Sequence, residues 1–334
     1  MNRIFILGGG AWGTALAQTL ARADREVLLW AHETDTVAAI NAGHENPVFL
    51  PGVALDPGVR ATADLAEAAR AELVLLAVPA QFVRAVTGGL TLAPAAPVVI
   101  CTKGVETRTG ALMSEVLSET LPGVAVAVLS GPTFASEVAR GQPTAVTLAA
   151  SDRVLGEKLV AALGSRAFRP YLSDDPVGAE IGGAIKNVEA IACGIVVGRG
   201  LGENARAALL TRGLAEMMRL AVAKGGRHET LFGLSGLGDL TLTCTSLQSR
   251  NYSLGVALGE GRTLAEIQGA RRSVAEGVST APAAVALATR VGVEMPIAAG
   301  IDAILHRGAA IDEVVATLLA RPFRSESGLS DAKS

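Results

Sequence analysis

The chain has 334 residues, room for one large domain or two of ordinary size. Half of them are apolar and 18% are charged, which allows a sizeable core and excludes global disorder. A net charge of −3 argues against a nucleic-acid binder, which would carry a basic face, but leaves small anionic ligands open.

Aromatic residues are 3% and glycines number 38, so the chain packs with Ala, Val, Leu and Gly, and its helices can approach closely. Cys101, Cys193 and Cys244 are widely spaced and form no CxxC pair, which suits a reducing cytosol. No histidine partner is in view for any of them, and they read as packing residues. His32, His44, His228 and His306 show no metal-ligand spacing, so no metal is expected. The first apolar run is too short for a signal peptide. The most apolar later segment, 188–197, is about half a membrane span. These features predict a soluble cytoplasmic protein with no integral membrane association.

From residue 2 to about 150, strand-like and helix-like patterns alternate. "RIFIL" reads as a buried strand, 11–23 as a helix and "EVLLW" as a second strand. "AELVLLAV" and "APVVICT" follow, with a helix-like piece near 82–86 between them. Residues 109–119 read as helix, and "VAVAVLS" and "TAVTLAA" as strands. Such alternation implies a mostly parallel sheet with helices on both faces. After about 175, "DDPVGAEIGGAIKNVEAIACGIVVG" opens with an Asp cap and a Pro in the first turn. "NARAALLTRGLAEMMRLAVAKGG" is a long helical pattern closed by glycine. No convincing strand follows. The expected organisation is an α/β Rossmann-type domain over 1–180, an all-α substrate domain over 181–325, and a loose polar tail over 326–334.

Gly8, Gly10 and Gly13 follow the first strand in GxGxxG spacing. The first permits a tight turn, the second lets backbone approach a pyrophosphate, and the third lets helix and strand pack closely. The placement between strand and helix favours dinucleotide binding over an ordinary glycine-rich turn. At the end of the second strand, "LLWAHE" offers His32 where an acidic residue would select NAD. A histidine there tolerates a 2′-phosphate, so the reading leans to NADP, with NAD still open; the alternative is a plain surface histidine.

An alcohol–ketone interconversion needs a group to take or give the hydroxyl proton. Tyr171 and Tyr252 are the only tyrosines and form no tyrosine–lysine pair. Lysine is then the natural candidate. Lys186 sits in "GGAIKNVEAI", where Gly182, Gly183 and Ala190 share its helix face. That face is bare of bulk, so something else can approach it, and burial would lower the lysine pKa. The alternative is a lysine that escapes to solvent. Lys103 ends the strand "VVICTKG", at the edge of the sheet where ligands bind, and is otherwise a surface lysine. In "GLSGLGDLTLTCTSLQSRN", Gly236, Gly238 and Asp239 read as a tight turn. Thr243, Thr245, Ser249, Arg250 and Asn251 gather donors in one loop that suits a phosphate, or is simply a polar surface loop. Asp239 could hold a lysine ammonium. "SGPTFA" adds possible backbone donors.

Together these stretches resemble the bacterial-type NAD(P)-dependent glycerol-3-phosphate dehydrogenases. The resemblance spans nearly the whole chain, through "GGGAWGTALA", "FLPG", "TKGVE", "SGPTFASEVARGQPTAV", "GGAIKNVEAIACGIVVG", "GLSGLGDLTLTCTSLQSRN" and "GVEMPI". It implies a Rossmann-type domain followed by a helical domain of the 6-phosphogluconate-dehydrogenase-like type. The implied reaction is the reversible reduction of dihydroxyacetone phosphate to sn-glycerol 3-phosphate for phospholipid synthesis. The implied proton-transfer residue is Lys186, with Lys103 and Asp239 as further catalytic positions. Substrate positions implied are Lys103, Gly131, Thr133, Lys186, Asn187, Asp239, Thr243, Ser249, Arg250 and Asn251. Cofactor positions are Gly8, Gly10, Trp12, Gly13, His32, Lys103, Ala135, Arg250, Val274 and Glu276. A homodimer is implied as well. Ala11, Phe49, Cys101 and Ala275 depart from the usual pattern, which bears on cofactor preference more than on proton transfer. A related β-hydroxyacid dehydrogenase, or a redox sensor that binds NAD(P) without turnover, stays open beside this reading.

Overall fold

The computed structural model describes residues 1–269 and 275–323. The expected tail over 326–334 and the cofactor position Val274 lie outside the described residues. Among the described residues ten strands are formed: β1 Arg3–Leu7, β2 Glu26–Trp30, β3 Glu45–Asn46, β4 Leu50–Ala54, β5 Val59–Thr62, β6 Leu73–Leu76, β7 Val98–Ile100, β8 Val126–Ser130, β9 Thr144–Ala149 and β10 Phe168–Ser173. Among them run α1 Ala11–Ala21, α2 Thr34–Gly43, α3 Val83–Thr87, α4 Met113–Thr120, α5 Ala135–Ala139 and α6 Arg153–Leu163.

The main sheet has the order β10-β9-β8-β7-β6-β1-β2-β5. Neighbours are parallel except β8 and β9, so β9 and β10 run against the other six strands. The central strands are apolar on both faces; β6, Leu-Val-Leu-Leu, is buried at every residue. Continuous apolar runs of this kind mark a sheet covered on both sides. Two separate buried clusters confirm it, one around Ile4, Leu16 and Leu75 and the other around Phe5, Leu76 and Ile100. Strand order reverses between β1 and β6, which opens a crevice beyond their carboxyl ends.

After β10, the described residues form helices only: α7 Pro176–Gly198, α8 Glu203–Ala223, α9 His228–Leu231, α10 Asp239–Cys244, α11 Arg250–Gly259, α12 Leu264–Gly269, α13 Glu276–Arg290, α14 Pro296–His306 and α15 Ile311–Leu319. The division expected at residue 180 falls within α7. Asp175 caps that helix by accepting from Gly178 N, and Pro176 opens its first turn, as the sequence signals require. The segment read as ten apolar residues is part of a 23-residue helix. By length and composition α7 could cross a membrane, but its apolar window is mostly buried under its neighbours.

Helix α7 is the axis of this half, packed by α8, α10, α11, α13 and α14. Its crossing with α11 is close because glycines face each other. A Cβ on Gly194 would lie 2.8 Å from Val256 N, and one on Gly255 would lie 3.0 Å from the Cα of Gly194. Gly198 and Gly259 repeat the contact one turn on. The small-residue stripe thereby brings the first residues of α11 against the middle of α7.

Two expectations need correction here. The stretch 234–238 is a wide helical turn that runs directly into α10, not a tight loop. Arg250 and Asn251 do not lie in a loop either; they open α11, with Ser249 as its cap. The run of donors hid an ordinary helix-start signal.

Candidate active site

The glycine turn sits at the strand-order reversal. Gly8 has φ +129°, and a Cβ there would lie 2.7 Å from the backbone of Ala77 at the end of β6. A Cβ on Gly13 would overlap the Gly8 carbonyl oxygen, so α1 and β1 can touch only through glycine. Gly10 differs, since nothing lies within 4 Å of where its Cβ would be. Helix α1 carries no side-chain cap, so its first N–H groups remain uncommitted. Trp12 Nε1 is buried with no protein partner. This open cradle of donors at a helix N-terminus fits a dinucleotide pyrophosphate. Asn46 was missed by sequence reading: its Nδ2 donates to the Gly9 carbonyl at 2.8 Å and to Thr14 Oγ1 at 2.9 Å, bracing the turn. No periodicity or motif announced it.

His32 lies exposed just beyond β2, its ring 6.3 Å from that of Trp30. Ala135 begins α5, which packs on α1 beside the turn. Thr102 ties the third strand end to this edge, donating to the carbonyls of Leu76 at 3.0 Å and Val78 at 2.7 Å. Lys103 is therefore carried to the crevice on a strand end fixed to β6.

From the helical side, α7 brings Lys186, 5% exposed, and α10 brings Asp239, fully buried. Lys186 Nζ is hydrogen-bonded to Asp239 Oδ1 and, at 2.9 Å, to Thr243 Oγ1. Lys103 Nζ donates to the other carboxylate oxygen of Asp239 at 2.7 Å and to the Gly131 carbonyl at 3.0 Å. One carboxylate thus joins two lysines from opposite halves. Burial is the main reason the Lys186 pKa is lowered to about 8; Asp239 opposes the shift and the Lys103 charge adds to it.

The bare face of α7 has a reason other than the one expected. A Cβ on Gly182 would overlap the Ser235 carbonyl, and one on Gly183 would press on Ser130 and Lys103. Protein, not ligand, fills the space beside the two glycines. Thr133 Oγ1 donates to the Gly131 carbonyl at 3.2 Å. Ser249 Oγ accepts from Tyr252 N at 3.2 Å, so this hydroxyl is engaged as a helix cap. Asn251 donates to Asn187 Oδ1 at 2.9 Å. Arg250 is exposed at the start of α11, and Glu276 opens α13. Burial raises the Glu276 carboxyl above its ordinary range, while the charges of Arg250, Lys103 and Lys186 act the other way.

A dinucleotide cradle on a parallel sheet, faced by a buried lysine from a helical half, defines a two-part dehydrogenase of the nicotinamide type. Comparison with known proteins narrows this class. Domain families described as the N-terminus and the C-terminus of NAD-dependent glycerol-3-phosphate dehydrogenase match residues 3–155 and 175–316. The chain belongs to that family. A Rhodospirillum rubrum protein named glycerol-3-phosphate dehydrogenase (NAD(P)+) is 63% identical over 331 residues, covering 98% of this chain and 95% of the relative. One of the same name from Caulobacter vibrioides is 55% identical and covers 98% and 99%. The crystal structure of glycerol-3-phosphate dehydrogenase from Coxiella burnetii superposes with a TM-score of 0.92 at 41% identity, covering 95% of this chain and 98% of that one.

Proposed function

We propose that this protein is an NAD(P)-dependent sn-glycerol-3-phosphate dehydrogenase. It interconverts dihydroxyacetone phosphate and sn-glycerol 3-phosphate, the latter feeding phospholipid synthesis. The observation that carries the reading is the buried Lys186 amine, held by Asp239 and Thr243 within one carboxylate of Lys103. With its pKa near 8, Lys186 exists in both protonation states around neutrality. As a neutral amine it takes the hydroxyl proton during oxidation; as an ammonium it gives a proton to the carbonyl oxygen during reduction. Lys103 places a second lysine side chain beside the reacting oxygen. Arg250, with its planar fork of donors, suits the phosphate. A nicotinamide dinucleotide held at the glycine turn would supply or take up the hydride. His32 beyond β2 favours NADP, with NAD accepted.

The site residues proposed are those the resemblance implies, with Ser249 assigned to supporting α11 and Asn251 to holding Asn187. The two halves act as separate domains that meet between β10 and the middle of α7. A cytoplasmic homodimer completes the proposal, supported by the family resemblance and by three free, buried cysteines. Initial rates of NADPH and NADH oxidation test the proposal, with dihydroxyacetone phosphate compared against carboxylate-bearing ketones. Turnover confined to the phosphate ester supports it. Turnover of the carboxylate alone would favour a hydroxyacid dehydrogenase, and binding of cofactor without turnover a sensor.

A further inference from the structure

Asn187 follows the proposed proton-transfer lysine directly, and its side-chain amide has two chemically different ends. Which end faces the substrate decides whether it donates or accepts, and sequence alone does not distinguish them. The surrounding structure does. Gly277, in the first turn of α13, has a backbone N–H with no intrahelical acceptor. It donates to Asn251 Oδ1 at 2.9 Å. A backbone N–H can only donate, so the end of Asn251 that faces it must be the carbonyl oxygen. Asn251 then turns Nδ2 toward Asn187 and donates to its Oδ1 at 2.9 Å. The remaining end of Asn187 is Nδ2, which donates to no acceptor among the described residues. Both asparagines are buried, so neither amide can flip without stranding a donor against a donor.

The contact that starts this chain is itself built. A Cβ on Gly277 would lie 2.5 Å from the Asn187 carbonyl oxygen and 2.8 Å from Ile191 Cδ1. Glycine at this position lets the start of α13 rest on α7 beside Asn187. The same first turn carries Glu276, whose carboxyl senses Arg250, Lys103 and Lys186.

We propose that Gly277 and Asn251 are positioning residues: the Gly277 N–H sets the polarity of a two-asparagine relay, which fixes Asn187 with its NH2 group, and not its oxygen, toward the substrate oxygen beside Lys186. Asn187 then donates a hydrogen bond to that oxygen as negative charge develops on it during ketone reduction. The relay's geometry is independent of the reaction; its consequence for turnover rests on the dehydrogenase reading above.

The test uses the full chain labelled with 15N-asparagine. In the parent protein the Asn251 NH2 protons exchange slowly with solvent and those of Asn187 rapidly. In Asn187→Ala the Asn251 protons lose their acceptor and exchange at least tenfold faster. Asn251→Asp keeps the acceptor for Gly277 but presents a carboxylate to Asn187, whose amide must reverse. Its NH2 protons then become the protected ones. On dihydroxyacetone phosphate reduction, Asn251→Asp lowers kcat about 100- to 1000-fold, in line with loss of one such donor. Made in an Asn187→Ala background, the same substitution has less than a twofold further effect. Rapid exchange of the parent Asn251 NH2 protons, or an unchanged pattern in Asn251→Asp, would overturn the relay. So would full additivity of the two substitutions. A parent protein inactive on the ketone would sink the dehydrogenase reading while the exchange pattern still judged the relay.

Discussion

Gly183 of α7 lies directly beneath the stem of Lys103: a Cβ at residue 183 would sit 3.3 Å from Lys103 Cγ and 2.6 Å from Ser130 Oγ. The helix that carries one lysine of the site thus leaves out a side chain so that the other can cross it. Gly182, its neighbour, does the same for the Ser235 carbonyl, in the turn that leads into Asp239. The two glycines set the heights of Lys103 and Asp239 over Lys186.

Gly183→Ala tests this. Ala is the better helix former by up to about 1 kcal/mol, and crowding against Ser130 and Lys103 offsets that gain. The melting temperature should change little. Lys103 must shift by a few tenths of an ångström, and kcat/KM for dihydroxyacetone phosphate should fall about tenfold or more. Parental kcat/KM in a well-folded Gly183→Ala protein would show that the crossing does not place Lys103.

Lys186 makes the two directions of reaction depend on pH in opposite senses. Burial lowers its pKa to about 8. Oxidation of glycerol 3-phosphate needs the neutral amine, so its kcat/KM should rise through that pH. Reduction of the ketone needs the ammonium and should fall through it. Lys186→Ala should lower both rates by about 10²- to 10⁴-fold and abolish the inflection, while NADPH still quenches tryptophan fluorescence on binding. An inflection near 8 that survives in Lys186→Ala would assign the titration to another group.

Two glycines of the turn, Gly13 and Gly10, should fail differently. Gly13→Ala drives a Cβ into the Gly8 carbonyl, separating α1 from β1, and should lower thermal stability and yield. Gly10→Ala meets no protein atom within 4 Å. It should melt close to the parent, yet weaken NADPH about tenfold or more, because the methyl takes space that a pyrophosphate needs. Equal cofactor affinity in Gly10→Ala, measured by fluorescence titration, would remove the cradle from the cofactor site.

Much of this was legible in advance because buried parallel strands and phosphate-binding turns leave local marks. "RIFIL" followed by three spaced glycines favoured a phosphate-binding turn, and an Asp–Pro pair announced the start of α7. Strand direction left no such mark: β9 and β10 run opposite to β8, a matter of long-range pairing. Helix α4 begins at Met113, four residues after the expected start at 109. Arg290 Nη2 donates to the Gly110 carbonyl at 2.7 Å and Arg290 Nη1 to that of Thr109, which holds this loop out of the helix. In the site, charged side chains in apolar surroundings stood out, as Lys186 and Asp239 did. Asn46, Gly277 and Glu180 did not, because each pairs a backbone group with a side chain brought from far along the chain.

Glu180 gives the last of these a measurable sign. It belongs to α7 and accepts from Ser114 N at 2.9 Å and Ser114 Oγ at 2.5 Å, at the start of α4 on the sheet side. The neighbouring Glu115 accepts from Lys224, just past the end of α8, at 2.5 Å. Burial raises the Glu180 carboxyl to about 7, against the two bonds from Ser114. A carboxyl whose folded pKa is raised binds its proton more tightly in the native state. Its stabilising effect is complete below the unfolded value and is lost as pH climbs to about 7. The shift corresponds to roughly 3 kcal/mol between those limits. Glu180→Gln cannot ionise, so it escapes that loss, though its NH2 end leaves one Ser114 donor unmatched. Urea unfolding should find the variant equal to or weaker than the parent at pH 5. The difference should move in its favour by up to about 3 kcal/mol at pH 8, with the change concentrated below neutrality. A difference that does not vary with pH would mean that Glu180 stays ionised throughout and that the junction of α4 with α7 is an ordinary charged cap.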